Sequence, residues 1–269
     1  MGVRRDEVTT RDRTRRWLAA GVVLGVALLA VASWVAARPS AHPVATVPTV
    51  STPRAGTMPS LVAPPAPAIP PGPGQLVVRI RHATYLSARP AAPSVALILP
   101  RTEMGSPRVL PVVERRGSWL GVLAEERPNG HVGWVHLDTN VTLARVRSAV
   151  RVSLGRRMVT VRRLSRVVAS VRVAVGAPAT PTPTGRFAVT DRIVSNAPSI
   201  YGCCILALSG HQPYLEPGWT GGNRIAIHST LETSAIGSAV SHGCVRADEA
   251  GMRRLLATVP LGTVVTIRR

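Results

Sequence analysis

The sequence predicts a mainly β protein, and three observations support this prediction. Aromatic residues make up only 3% of the 269-residue chain, whereas Gly and Pro number 23 and 24. Apolar or alternating segments recur about every ten residues with turn-forming residues between them, as in chains of short strands. Residues 247–259 have, by contrast, the spacing of an amphipathic helix. We therefore expect short strands joined by turns, with a short helix near the carboxyl end.

The amino-terminal region predicts an exported, membrane-anchored protein. Residues 17–37 contain no charge, and a helix of that length crosses a hydrocarbon core of about 30 Å. Arginines precede this span, so the positive-inside rule keeps residues 1–16 in the cytoplasm and exports the rest. The length favours an uncleaved anchor over a signal sequence, whose apolar part is about 7 to 15 residues. We expect the exported part to work in the cell wall or periplasmic space.

The next segment, residues 38–74, predicts a tether. It holds 11 of the 24 prolines in a background of Ala, Thr and Ser. Proline-rich chains extend by about 3.1 Å per residue, so the tether could hold a domain up to roughly 100 Å from the membrane.

Basic residues dominate the charge of the chain. The formal net charge is +20, and all 33 basic residues are Arg. Between Arg145 and Arg192 the only acid is Asp191. Such a concentration is typical of proteins that bind polyanions, but export argues against nucleic acid. A solvated sheet surface is the preferred interpretation, with anionic cell-wall polymers as candidate partners.

Residues 75–142 predict a small β domain. Five short strand patterns are separated by turn signals, the last of them at residues 128–130. The pieces GSWLGVL and NGHVGWV resemble bacterial SH3-like domains, in which a Trp-containing strand and a Gly-Trp-Val strand meet across a hairpin. The resemblance implies a small barrel that binds the wall or acts as a spacer. A β domain that only braces its neighbour is an equal alternative.

A second folded region, residues 145–269, begins with RVSLGRRMVTV, which predicts a hairpin with its turn at Gly155. The following strand is expected to place its apolar residues on one face and Arg166 and Arg172 on the other. That apolar face comprises Val167, Ala169, Val171, Val173 and Val175. A further strand over NRIAIHST should end at His228, and GTVVTIRR should form the last one.

Three cysteines in an exported chain leave at least one thiol outside any internal disulfide. Cys203 and Cys204 are adjacent, and neighbouring residues on a strand point to opposite faces. We therefore expect a bond between them to be unfavourable and both to be buried structural residues.

Cys244 lies in the run SHGCVR and needs a base to become a nucleophile. His242 is two positions away and would share its face on an extended segment, whereas His228 must be brought close by the fold. Spacing does not choose between them. Gly243 permits a tight turn, where backbone N–H groups could stabilise an oxyanion. Arg246 could hold a substrate carboxylate or brace the loop.

The run SHGCVR, preceded by IHS and by TPTG further upstream, resembles the L,D-transpeptidase catalytic domain, the YkuD-like family. The resemblance covers about residues 145–269 and implies a β-sandwich with a short helix after the catalytic cysteine. It makes Cys244 the nucleophile and His228 the general base, oriented by the carbonyl of Ser229. The family commonly has Gly at that last position, so serine would be strained there if φ were positive.

The resemblance further implies an oxyanion site made by the amides around His242, Gly243 and Cys244, with Ser241 supporting the loop. The implied reaction joins two peptidoglycan stem peptides by a 3→3 cross-link through a thioester, with no metal or organic cofactor. Hydrolysis of the same thioester would instead make the protein an L,D-carboxypeptidase.

Three other interpretations stay open. The first is a non-catalytic cell-wall-binding protein, and the second is a buried, inert Cys244. The third is a zinc site made by His228, His242, Cys244 and Cys203, which have suitable ligand types but lack the paired spacing of structural zinc sites.

Overall fold

The computed structural model of the protein describes residues 67–195, 199–215 and 217–269. The predicted cytoplasmic tail, the predicted anchor at 17–37 and most of the predicted tether lie outside these ranges. Within them, no helix combines the length and the apolar character that a membrane crossing requires. The described part is mainly β with one α-helix, which confirms the predicted fold class.

Seven strands form the first sheet, which has the order β3-β2-β6-β5-β4-β1-β7. They are β1 Gln75–Ile80, β2 Thr84–Ser87, β3 Ser94–Ile98, β4 Val109–Arg116, β5 Trp119–Val122, β6 Gly133–His136 and β7 Val141–Val146. The apolar residues that face inwards form a separate core that includes Leu86, Ile98 and Leu120. The register of β7 on β1 runs from Ile80↔Val141 to Gln75↔Val146, so this sheet continues four residues past the predicted end at 142. Its likeness to SH3-like domains stays a prediction.

The remaining strands follow the first sheet along the chain. They are β8 Ser148–Ser153, β9 Met158–Arg163, β10 Arg166–Arg172, β11 Val175–Gly176, β12 Gly185–Val194, β13 Cys204–His211, β14 Arg224–Ser229, β15 Ala239–Ser241, β16 Val245–Ala247 and β17 Val264–Arg268. Eight of them form a second sheet in the order β10-β9-β8-β17-β12-β13-β14-β16, while β11 and β15 pair separately in parallel. Antiparallel pairing of β8 with β9 confirms the predicted hairpin, and β14 and β17 confirm the two later strands.

One predicted face differs from the structure at β10. Ala169, Val171, Val173 and Val175 are buried as expected, but Val167 is 53% exposed. The register of β10 on β9 shifts between Val167 and Ala169. A bulge inserts an extra residue and reverses the alternation beyond it, so the residue before the bulge turns outwards.

The predicted helix is α1, Glu249–Thr258, which begins directly after β16. The Asp248 side chain caps its amino end by accepting the Gly251 N–H at 2.7 Å. Met252, Leu255, Leu256 and the following Val259 are buried in the core of the second sheet. The helix thereby fixes the chain that leaves β16, the strand that follows Cys244.

Candidate active site

A cavity of about 480 Å³ opens over one face of β13, β14 and β16. Four residues that the sequence analysis singled out line it: Cys244, His228, His242 and Arg246. His242, Cys244 and Arg246 lie within five residues of the chain, and the fold brings the distant His228 to the same cavity.

Strand pairing places His228 and Cys244 on the same face of the sheet. β14 and β16 run in parallel with His228 opposite Arg246 and Ile227 opposite Val245. Cys244 directly precedes β16, so its side chain shares the face of Arg246 and therefore of His228. The fold thus places the distant histidine on the same face as the thiol and in the same cavity.

The imidazole of His228 is held in one orientation. It is only 3% exposed, and its Nδ1 lies 2.7 Å from the carbonyl oxygen of Ser229. A carbonyl can only accept, so Nδ1 carries the proton of the neutral ring and Nε2 is the basic nitrogen. The ring of Tyr201 packs edge-on at 5.0 Å between centroids. The pKa of His228 is lowered to about 4, mainly by burial; the Ser229 bond acts to raise this pKa, and the charge of Arg246 acts to lower it.

The second residue of the candidate pair, Cys244, is a free and partly exposed cysteine. Its Sγ lies 3.9 Å from the carbonyl oxygen of Arg224. Burial raises the pKa of the Cys244 thiol, while a backbone hydrogen bond from Ala226 and the charge of Arg246 act in the opposite direction. The resting pair at neutral pH is therefore a thiol and a neutral imidazole, and the proton must move when the sulfur attacks.

The chain between β15 and β16 turns tightly, so the extended segment on which His242 would share the face of Cys244 is not present there. Gly243 has φ +114°, and a Cβ there would lie 2.2 Å from Nε2 of Gln212. The His242 ring instead stacks on Trp219, with 4.9 Å between centroids. Ser241 closes the turn, because its Oγ donates to the Cys244 carbonyl at 2.5 Å.

The Gly243 N–H donates to Oγ of Ser241 at 3.2 Å. That amide was expected among the oxyanion donors, and its partner here is a side chain of the same turn. Ser241 is otherwise fixed by Thr180, whose hydroxyl donates to the Ser241 carbonyl at 3.0 Å. The predicted support of the loop by Ser241 thus has a physical basis in these bonds.

Serine fits the position after His228 without backbone strain. Within the described ranges the non-glycine residues with positive φ do not include Ser229. Its Oγ donates to the Tyr201 carbonyl at 3.0 Å and accepts the Cys204 N–H at 3.2 Å. Gly202 passes so close that a Cβ there would lie 2.2 Å from this hydroxyl. The positive φ lies at Gly202 (+64°) rather than at the serine.

Cys203 and Cys204 form a disulfide, so the expectation that their bond would be unfavourable is wrong. Cys204 is buried as expected, whereas Cys203 is only half-buried. The expectation assumed a regular strand through both residues. Cys203 instead lies in a turn and only Cys204 belongs to β13. The Ser229 hydroxyl lies 3.6 Å from the Cys203 sulfur, which puts the disulfide directly behind the carbonyl that orients His228.

Arg246 contributes both its backbone and its side chain to the site. Its backbone N–H and carbonyl bond to Ala174 at 2.9 and 2.8 Å and brace the strand. Its side chain lines the cavity, and its buried Nε has no hydrogen-bond partner in the described ranges. The proposed zinc ligands do not assemble, because Cys203 is bonded to Cys204. No group of three or more His, Cys, Asp or Glu side chains in the described part could hold a metal.

Sequence reasoning missed Gln212, which ties two loops together beneath the cavity. Its Nε2 donates to the carbonyls of Thr180 and Pro181 at 3.2 Å and of His242 at 3.1 Å. It also missed Trp219, whose ring stacks on that of His242. Neither residue carries a local signal, because each meets its partners only through long-range folding.

A partly exposed thiol that shares a cavity with a buried, oriented imidazole is the type of site that transfers acyl groups through a cysteine. The family model of the L,D-transpeptidase catalytic domain, YkuD, matches residues 147–267. The YkuD protein of Bacillus licheniformis is 30% identical over 151 residues, which are 54% of this chain and 84% of that protein. The chain therefore belongs to the YkuD family of L,D-transpeptidase catalytic domains.

Further similarities extend over the same region. The YkuD protein of Bacillus subtilis is 36% identical over 120 residues, which are 45% of this chain and just under two thirds (65%) of that protein. L,D-transpeptidase 3 from Mycobacterium tuberculosis has a TM-score of 0.40 at 15% identity, covering 51% of this chain and 74% of that chain. An L,D-transpeptidase from Stackebrandtia nassauensis has a TM-score of 0.34 at 18% identity, covering 47% and 57%.

Proposed function

We propose that this protein is a cysteine-dependent peptidoglycan L,D-transpeptidase that forms 3→3 cross-links through a thioester. The observation that carries the proposal is the register of β14 on β16, which puts Cys244 and His228 on one face within one cavity. Family membership supports the reaction class, and the stem-peptide substrate follows from it.

The first half of the reaction acylates Cys244. Nε2 of His228 takes the thiol proton as the sulfur attacks the carbonyl carbon of the third, diamino acid residue of a tetrapeptide stem. The C–N bond to the terminal D-alanine breaks, its amine takes the proton from His228, and a thioester remains. The Cys244 N–H is the proposed oxyanion donor, since the Gly243 N–H is bonded to Ser241.

The second half transfers the acyl group. The side-chain amine of a neighbouring stem attacks the thioester, His228 removes a proton from that amine, and the thiol leaves with a proton. Water in place of the amine would give L,D-carboxypeptidase activity with the same residues. Arg246 is proposed to bind a substrate carboxylate, because its side chain lines the cavity and its Nε is unpaired in the described part.

We further propose that the reaction takes place outside the cytoplasmic membrane, with residues 17–37 as the anchor. Anionic wall polymers would be attracted by the arginine-bearing face of the second sheet, where Arg166 and Arg172 are exposed.

Product analysis tests the proposal. The full-length chain is incubated with a disaccharide tetrapeptide, and the products are separated and identified by mass spectrometry. A dimer with released D-alanine supports transfer, and a tripeptide with released D-alanine supports the hydrolase alternative. Intact substrate with wild-type protein would refute both.

A further inference from the structure

The first sheet contributes a residue to the cavity of the second. Between β3 and β4 the chain forms a loop, residues 101–107, and Met104 at its tip lines the cavity together with Ile193 and Leu215. Met104 is 43% exposed, so its thioether is accessible to whatever occupies the cavity. A domain that serves only as a spacer or a wall-binding module has no need of such a contact.

The 101–107 loop is rigidly built. The Thr102 N–H donates to the Ser106 carbonyl at 2.9 Å, and the Gly105 N–H donates to the Thr102 carbonyl at 3.0 Å. The Arg101 guanidinium donates to the Gly105 carbonyl at 2.7 Å across the loop. Gly105 has φ +84°, which allows the chain to reverse directly after Met104. The tip is therefore held in one conformation before a ligand arrives.

Buried polar groups of the second sheet fix the base of this loop. The Thr102 hydroxyl donates a short hydrogen bond to Asp191, a carboxylate with no solvent exposure. Glu103 pairs with Arg224 at 3.2 Å, and Arg224 also pairs at 3.1 Å with Glu125, which lies between β5 and β6. Asp191 belongs to β12 and Arg224 to β14, and both strands contribute residues to the cavity lining, so the loop has a defined position beside the cavity.

The same arginine connects the loop to the nucleophile. Arg224 begins β14, the strand that carries His228, and its carbonyl oxygen is the group that lies 3.9 Å from Sγ of Cys244. Met104 is thus attached, through Glu103 and Arg224, to the part of the cavity where the sulfur lies.

We propose that the 101–107 loop is a substrate-binding element of the active site and that Met104 contacts the stem peptide. The inference rests on the proposed function, and it assigns the first sheet a direct part in selecting the substrate. A stem peptide carries methyl and methylene groups from its alanine and diamino acid residues. Met104, Ile193 and Leu215 offer these groups apolar contacts in the same cavity as the charged Arg246.

The test compares Met104→Ala with a matched control, Leu97→Ala. Leu97 is 56% exposed on β3 of the same sheet and does not line the cavity. In the full-length chain, acylation by the tetrapeptide is followed by intact-mass spectrometry at varied peptide concentration. We expect Met104→Ala to raise KM by about 5- to 20-fold with kcat within about twofold, as for loss of apolar contact at a preformed site.

Two further measurements separate binding from folding. Met104→Leu should restore KM to near the wild-type value because it keeps an apolar side chain of similar volume. Thermal unfolding of Met104→Ala should match that of Leu97→Ala. An unchanged KM for both acylation and transfer in Met104→Ala would overturn the inference.

Direct binding distinguishes failure of this inference from failure of the proposed function. The tetrapeptide is titrated into Cys244→Ala with and without Met104→Ala, which requires no turnover. Binding that weakens when Met104 is replaced supports the inference even if wild-type protein releases no D-alanine. Binding that is absent or independent of Met104 overturns it, whatever the activity.

Discussion

Acidification should destabilise the protein through His228. Burial holds the pKa of this imidazole at about 4 in the folded chain, whereas an exposed histidine in the unfolded chain has a pKa of about 6.5. Between these values the unfolded state binds a proton that the folded state does not, so the free energy of unfolding falls as the pH falls. The full stability is present above pH 6.5. From the two pKa values, the loss is about 2 kcal/mol at pH 5 and about 3 kcal/mol at pH 4.

The assay is urea unfolding of wild type and His228→Gln, followed by tryptophan fluorescence at several pH values from 7.5 to 4.5. Glutamine stays neutral, so the variant lacks the proton uptake at this position. Glu125, whose pKa burial raises, and His211, whose pKa burial lowers, titrate in both proteins and cancel in the comparison. The difference in unfolding free energy between the two proteins should therefore change by about 2 kcal/mol between pH 7 and pH 5. A difference that stays constant over this range would refute the reasoning that a neutral, buried imidazole lies at position 228.

Three other predictions concern the turn, the residue after the base and the cysteines. Gly243→Ala should reduce the rate of acylation by about 100-fold or more, because a Cβ at a positive φ would strain the turn and collide with the Gln212 side chain. A Gly243→Ala variant that is acylated at the wild-type rate would contradict this prediction. Ser229→Ala keeps the carbonyl that orients the imidazole, so we expect acylation within a few-fold of wild type and a loss of about 1–3 kcal/mol in unfolding free energy from the missing hydroxyl bonds. A large loss of acylation without loss of stability would show that the hydroxyl acts in the chemistry. Thiol titration of the denatured chain should find one reactive thiol, Cys244, before reduction and three after it, and a second thiol before reduction would contradict the disulfide of Cys203–Cys204.

Local patterns predicted the elements that depend on local physics. The helix α1 followed from the apolar spacing of residues 247–259, and the β8–β9 hairpin followed from two alternating segments around Gly155. Both predictions depend only on residues that are close together in the sequence. The motif around Cys244 likewise marked the nucleophile candidate, because its residue types lie within a few positions of each other.

Long-range pairing decided what the local patterns left open. The choice between His228 and His242 depended on the register of β14 against β16, and no spacing in the sequence encodes it. The outward turn of Val167 depended on a bulge set by its partner strand.

The position of Met104 illustrates the same point for the site. Residue 104 lies in a loop of the first sheet, and only the docking of Thr102 and Glu103 on buried groups of the second sheet brings it to the cavity. Sequence patterns describe the region of the first sheet and that of the second sheet separately. They therefore cannot identify a residue of the first region that lines a cavity in the second.

The most direct test of the central claim is the intact mass of the full-length chain after incubation with a tetrapeptide stem. Wild type, Cys244→Ala and His228→Gln are compared after equal times, with thermal unfolding as the check that each variant is folded. We predict that wild type gains the mass of the stem minus that of the released D-alanine and that Cys244→Ala gains nothing. In His228→Gln the gain should be slowed by about 100-fold or more, as for loss of a general base. A gain that persists in Cys244→Ala, or one that is as fast in His228→Gln as in wild type, would contradict a mechanism in which His228 activates Cys244.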